Sequence, residues 1–145
     1  MNKIKEILPI LETLAPQAYA EDFDNVGLLV GNPETQITGI LVSHDVLENI
    51  VDEAITKKCN LIICFHPIIF SGLKKITGKN YVERVVIKAI KNDIAIYAIH
   101  TALDNHQDGV NLSLIHISIM LSLLILTKAY PIFLLATQLN YLKFS

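Results

Sequence analysis

Leu61-Ile-Ile-Cys-Phe-His-Pro67 is a continuous apolar run that ends in an imidazole and a proline. Unbroken apolarity from Leu61 to Phe65 predicts a strand covered on both faces, as in a parallel sheet. Pro67 stops that strand, because it lacks an N–H and holds its predecessor in an extended or turning backbone. His66 is thereby delivered at the strand's carboxyl end, where open α/β sheets build their sites. The pattern recurs 34 residues later, where Ile94 to Ile99 predicts a strand leading into His100-Thr-Ala-Leu-Asp104. That interval is about one strand–helix–strand unit, roughly 30 residues or more.

The segments around these two runs fill in the fold. Gly39 to Ser43 is a third strand candidate. Asp45 can cap a helix through about Lys58, with Val46, Ile50, Val51, Ala54 and Ile55 on its inner face. Ser71 to Lys79 is a Gly- and Lys-containing loop, and Asn80 can cap a helix through Lys91 with Val82, Val85, Val86, Ala89 and Ile90 inside. Strand, helix, strand, helix, strand predicts an α/β chain with a parallel sheet. The expected arrangement is three-layer-like, with helices on both faces. Upstream, Ile4, Ile7, Leu8, Leu11 and Leu14 recur at helical spacing, predicting an amphipathic helix that ends near Ala15-Pro16. Asp22, Asp24 and Asn25 form a polar loop before a short apolar segment bracketed by Gly27 and Gly31; the loop could approach the sheet's carboxyl edge, although most such loops are merely solvated.

Composition divides the chain. Over all 145 residues, 52% are hydrophobic, 18% are charged and the net charge is −2, so nothing points to a nucleic-acid surface. All 14 acids and 10 of the 12 basic residues lie in residues 1–111, which therefore carry −4. Residues 112–145 hold only Lys128 and Lys143. Cys59 and Cys64 are not spaced as CxxC and read as two buried, reduced thiols. Met1-Asn-Lys-Ile-Lys-Glu6 has no apolar h-region, so no signal peptide is expected and the cytosol is the default compartment.

A neutral imidazole at His66 suits zinc and similar divalent metals, but a His packed beside a turn and bonded to backbone fits the same pattern. Asp104 could bridge two cations, with His100 as a ligand or proton donor. Asp104-Asn105 could equally be a helix cap or a turn. His106 reads as solvated. Asp45 reads first as a helix cap and second as a group behind a ligand. Lys74, Lys75 and Lys79 read as a solvated loop, with an anionic substrate as the alternative.

Residues 1–111 resemble the amino-terminal part of the GTP cyclohydrolase I type 2 homologues, the dinuclear-metal-centre proteins. The resemblance is carried by Ala20-Glu-Asp-Phe-Asp-Asn-Val-Gly-Leu-Leu-Val-Gly31, Val51-Asp-Glu-Ala54, Phe65-His-Pro-Ile-Ile-Phe70, His100-Thr-Ala-Leu-Asp104 and Gly109-Val-Asn111. It implies an α/β subunit that assembles into a toroidal homo-hexamer, with two divalent ions per subunit (zinc, manganese or iron) facing the interior. It implies His66 and Asp104 as metal ligands, Asp104 as the bridge, and His100 lining the site as its catalytic group. Many family members have two consecutive histidines before the proline, whereas this chain has Phe65 and His66. One metal position has therefore lost an imidazole. Members also bring a His and a Glu, one helical turn apart, from near their carboxyl terminus. No such pair follows His116, which has Ile119 and Met120 at the helical spacing.

The domain reading is thus residues 1–111 as the amino-terminal part of a dinuclear-metal-centre domain, an incomplete domain, and 112–145 as an apolar tail. Leu112 to Thr127 carries no charge, but Lys128 and Pro131 interrupt it before the roughly 20 residues that a membrane helix needs. Leu112-Ser-Leu-Ile-His-Ile-Ser118 looks like a translation of the transposon end used in sequencing-library preparation. The tail therefore reads as non-native or frame-shifted, with a genuine divergent tail as the alternative. The expected function is a divalent-metal-binding, metal-dependent hydrolase in truncated form. In it, metal-activated water attacks an electrophilic carbon or phosphorus of a small molecule, and His100 shuttles a proton. The rival is a non-enzymatic metal-binding scaffold. GTP is specified by no residue, since Gly27 and Gly31 do not fit a Walker A pattern.

Overall fold

The computed structural model describes residues 2–106. Four strands among them form one sheet in the order β1-β4-β3-β2: β1 Gly27–Val30, β2 Ile40–Ser43, β3 Leu61–Cys64 and β4 Ala95–Ala98. As the apolar runs predict, β2, β3 and β4 are parallel, with Ile40, Leu61 and Ala95 at the same level. β1 is antiparallel to β4 and closes the far edge, pairing Gly27 with Ala98 and Leu28 with Tyr97. Every residue of β3 and β4 is buried, which is the position the continuous apolar runs demand.

Alternation along β3 divides two cores. Leu61 and Ile63 face one layer with Ile40, Ala95 and Tyr97, against Ile4, Ile7 and Leu11 of α1 (Ile4–Leu14). Ile62 and Cys64 face the opposite layer with Leu41, Ile96 and Ala98, against α2 (Glu48–Thr56) and α3 (Tyr81–Lys91). The chain is thus a mixed α/β structure with helices on both faces, as expected. α1 runs through Pro9, whose ring is exposed and whose carbonyl accepts from Thr13 Oγ1 at 2.9 Å.

Helix boundaries differ from the sequence reading in one informative place. α2 begins at Glu48 behind Leu47, so Asp45 is not its cap. Ile55 and Ile90, expected inside, are exposed. α3 is capped as expected. Asn80 Oδ1 accepts from the Glu83 N–H at 2.9 Å, and the buried Glu83 carboxylate accepts in return from Lys79 N and from Thr77 N and Oγ1. These bonds hold the Glu83 carboxyl below the usual carboxylate range. They also pin the loop that follows Phe70, where Lys74, Lys75 and Lys79 are exposed.

Both crossover helices end alike. Lys58 and Asp93 take left-handed φ of 57° and 53° just past α2 and α3. The next residues, Cys59 and Ile94, donate backbone bonds to Ala54 and Ala89. Gly31, at φ 107°, ends β1 where a Cβ would fall 2.5 Å from the Ala95 Cβ, so glycine is required by both space and conformation. Cys59 and Cys64 are buried and unbridged, as expected. No helix among the described residues is long and apolar enough to cross a membrane. The Gly109-Val-Asn111 motif, the boundary at 111 and the tail at 112–145 lie outside the described residues.

Candidate metal centre

The carboxyl ends of the three parallel strands meet at one edge. The β2–β3 ladder continues one step beyond the strands: Phe65 N donates to Ser43 O at 3.2 Å and His66 N to His44 O at 3.0 Å. β4 is joined to β3 in the same way, with Ile99 N on Cys64 O and His100 N on Phe65 O, each 3.0 Å. Hydrogen bonding therefore sets His44, His66 and His100 side by side. His66 lies 4.4 Å from His44 and 5.3 Å from His100 between ring centroids.

Phe65 sits among all three. It stacks on His44 at 5.3 Å and 16°, and meets His66 and His100 edge-on at 5.1 and 5.4 Å. The position that lacks an imidazole is thus the aromatic wall of the site. Phe70 lies 6.4 Å from His100 and 6.3 Å from Phe23, and both phenyl rings are exposed at the mouth.

Two His–Asp units occupy this edge. In the first, Asp45 receives both neighbouring imidazoles: His66 Nδ1 lies 2.7 Å from Oδ1 and His44 Nδ1 lies 3.3 Å from Oδ2. The side chains of His44, Asp45 and His66 are 48%, 44% and 44% exposed. One ligand atom from each falls within 4.8 Å of the others, the spread of a candidate cation site. Partial burial pushes the Asp45 carboxyl up. The bonds and charges of His66 and His44 outweigh it and leave the carboxyl below its ordinary value.

In the second unit, Asp24 reaches α4 (His100–Asp104) from the loop before β1. Its Oδ2 accepts from His100 Nδ1 at 2.9 Å, from Thr101 N at 3.1 Å and from Thr101 Oγ1, while Oδ1 accepts from Asn25 N at 2.7 Å. The Asp24 side chain is 0% exposed and that of His100 19%. Burial raises this carboxyl, and the bonds from His100, Thr101 and Asn25 outweigh burial, so it titrates below the usual range. An ionised carboxylate only accepts, so His100 carries its proton on Nδ1 and keeps Nε2 for chemistry.

The sequence reading singled out His66 and His100, which the fold brings together. It assigns no role to His44. For Asp45 the structure shows the second reading, a group behind an imidazole, rather than the cap, and Asp24 of the polar loop reaches this edge and orients the His100 imidazole. Asp24 is placed by the sheet: carrying the antiparallel Gly27–Ala98 pairing three residues further sets it beside Thr101. Asp104 is half-buried on α4, one turn after His100, and is not a member of the three-residue cluster. His106 is half-buried rather than solvated, its ring 6.0 Å from Tyr19.

The donor set fits a divalent metal of borderline softness. Two imidazoles and a carboxylate match zinc, iron or manganese better than calcium or magnesium, which favour oxygen ligands. Three protein ligands are about the number found at catalytic zinc.

Comparison with known proteins agrees with the fold. The sequence profile of the family described as Duf34/NIF3 (NGG1p interacting factor 3) matches residues 2–127. The chain is 43% identical over 115 residues to the GTP cyclohydrolase 1 type 2 homolog of Clostridium acetobutylicum, covering 79% of this chain and 43% of that relative. It is 46% identical over 111 residues to NIF3-like protein 1 of Drosophila melanogaster, covering 76% and 38%. The crystal structure of a Bacillus cereus protein related to NIF3 superposes with a TM-score of 0.71 at 40% identity, covering 76% of this chain and 30% of that one. The chain therefore spans less than half the length of these relatives.

Proposed function

The chain belongs to the Duf34/NIF3 family, and from that premise we propose that it binds divalent metal at the carboxyl edge of its sheet as part of a hydrolase-like centre. The observation that carries the reading is the convergence of His66 and His100, rings 5.3 Å apart, each oriented through Nδ1 by its own carboxylate. A carboxylate on Nδ1 fixes the tautomer and leaves Nε2 as the basic atom, the usual support behind a metal-ligating or proton-transferring His.

In this reading His66 and Asp104 hold the cation, with zinc, manganese or iron as the candidates. When bound, such an ion supplies Lewis acidity, polarising a substrate oxygen and acidifying water. His100 takes and returns the proton at Nε2, and Asp24 steadies the imidazolium that forms. Phe23 and Phe70 flank the approach and Phe65 shields the inner wall from water. The substrate is a small molecule with an electrophilic carbon or phosphorus. A cytosolic location and assembly into a homo-hexamer complete the proposal.

The test is metal content and metal-dependent hydrolysis of nucleotides by the full 145-residue chain. His100→Ala should keep the metal and lose about 100- to 10,000-fold in turnover, the usual range for a general acid–base group. Asp104→Ala should lose the metal. Ring assembly and metal content without turnover on any nucleotide would instead establish a metal-binding scaffold.

A further inference from the structure

We propose that His44, Asp45 and His66 form one divalent-cation site in which His44 is a ligand and supplies the second imidazole. The inference rests on the reading of His66 as a ligand, takes its Nδ1 rather than its Nε2 as the donor atom, and adds His44 and Asp45 beside it as ligands.

The backbone argument comes first. His44 directly follows β2 and His66 lies two residues past β3, and the His66 N–H on the His44 carbonyl at 3.0 Å locks the two residues in register. Asp45, next in the chain, turns its carboxylate into the gap between the rings. Both imidazoles then aim Nδ1 at that one carboxylate, 2.7 and 3.3 Å away. Without a cation each Nδ1 donates its proton to the carboxylate; a cation that displaces those two protons meets two nitrogens and one negative charge within a sphere that it can occupy.

The alternative is a surface ion pair. Exposed ion pairs add little to stability, and one imidazole per carboxylate suffices to make them. That alternative leaves the second ring unexplained, together with its restraint. His44 is nearly half exposed, yet its ring stacks on Phe65 at 16° and meets His66 edge-on at 76°. Phe65 thus holds an otherwise free side chain beside the carboxylate. The ligand atoms lie within 4.8 Å of one another. Atoms bound to a common zinc at about 2.0–2.2 Å lie roughly 3–4 Å apart, so small side-chain rotations close the site. The exposed side leaves room for water to complete the coordination.

The experiment is titration of the metal-free full chain with cobalt(II) and zinc(II). It is read by the cobalt absorption bands, by equilibrium dialysis and by the number of imidazoles seen in pulsed electron paramagnetic resonance with copper(II). The expected result is one site with two imidazoles in the parent chain. In His44→Leu one imidazole should remain, and affinity should fall at least tenfold, with unchanged circular dichroism. Asp45→Asn should weaken binding to a similar degree, and His66→Ala should abolish it. If His44→Leu leaves the affinity and the imidazole count unchanged while His66→Ala abolishes binding, this proposal is overturned and the reading of His66 stands. If the parent chain binds neither ion, both are overturned.

Discussion

The end of β3 and the end of β4 carry the same pair of groups, a His whose Nδ1 meets an Asp, and treat it in opposite ways. At β4, Asp24 is fully enclosed and saturated by donors from His100, Thr101 and Asn25. At β3, Asp45 is 44% exposed and meets only two imidazoles among the described residues. Saturation makes the first carboxylate a fixed support: it has no capacity left for a ligand and cannot move without orphaning buried donors. Spare capacity and access make the second the place where a cation can enter. The edge therefore divides its work between a pre-organised proton-handling arm and an open metal-receiving arm.

The sharpest way to break this division is to remove each carboxylate in turn. Asp24→Ala strands the His100 Nδ1–H and the Thr101 N–H in a buried setting and should cost about 3 kcal/mol in urea denaturation. Asp45→Ala, in the half-exposed arm, should cost below about 1 kcal/mol. Equal losses would show that the two arms do not differ as their burial implies. The same pair of variants should give the reverse order for metal. Asp45→Ala, which removes one of three ligands, should lower cobalt affinity at least tenfold, while Asp24→Ala leaves it unchanged. Equilibrium dialysis at neutral pH decides it.

Acid sharpens the comparison further. The folded Asp24 carboxyl titrates below its ordinary value of 3.8, because its hydrogen bonds outweigh burial. A depressed carboxylate contributes stability that is complete above the unfolded value and is lost as pH falls through the folded one. Stability should therefore drop as pH is lowered below 3.8, and Asp24→Asn should flatten that part of the curve. Asp45 shifts in the same direction, but solvent screens it, so Asp45→Asn should leave the acid limb nearly unchanged. Denaturation midpoints measured from pH 2 to 6 test both.

The parts of this edge that the sequence disclosed are those that depend on neighbours along the chain. A buried run followed by His-Pro reports a strand end directly, so His66 and His100 were legible. Parallel strands linked through helices then bring them together, because each crossover returns the chain to the same edge. Asp24 was not legible, because its partner lies 76 residues away and depends on β1 running antiparallel beside β4. An apolar tripeptide between two glycines does not reveal its direction. Asp45 was half legible: an acid two residues before Leu47 looks first like a cap, and the later start of α2 leaves it to the second reading, a group bonded to the histidines. The end of α3 at Lys91 was legible, whereas α2, expected to run to about Lys58, ends at Thr56, because a lysine rather than a glycine takes the left-handed position behind it.

The smallest expected effect lies between the two arms. Cys64 ends β3 directly beneath Phe65 and His66, and its Sγ donates to the Tyr97 carbonyl at 3.3 Å, tying β3 to β4 under the site. Burial, reinforced by the negative charge of Asp45, pushes its thiol up to about 12. With its side chain enclosed in the core, this sulfur is a packing group, and the metal-receiving arm is built from nitrogen and oxygen alone. The folded chain should resist iodoacetamide at both Cys64 and Cys59, and mass spectrometry should show two added groups only after denaturation. Rapid labelling of Cys64 in the native chain would mean that the floor beneath His66 opens. The arm could then recruit a thiolate, and the contrast with the closed Asp24 arm would be deeper than an open mouth over a fixed base.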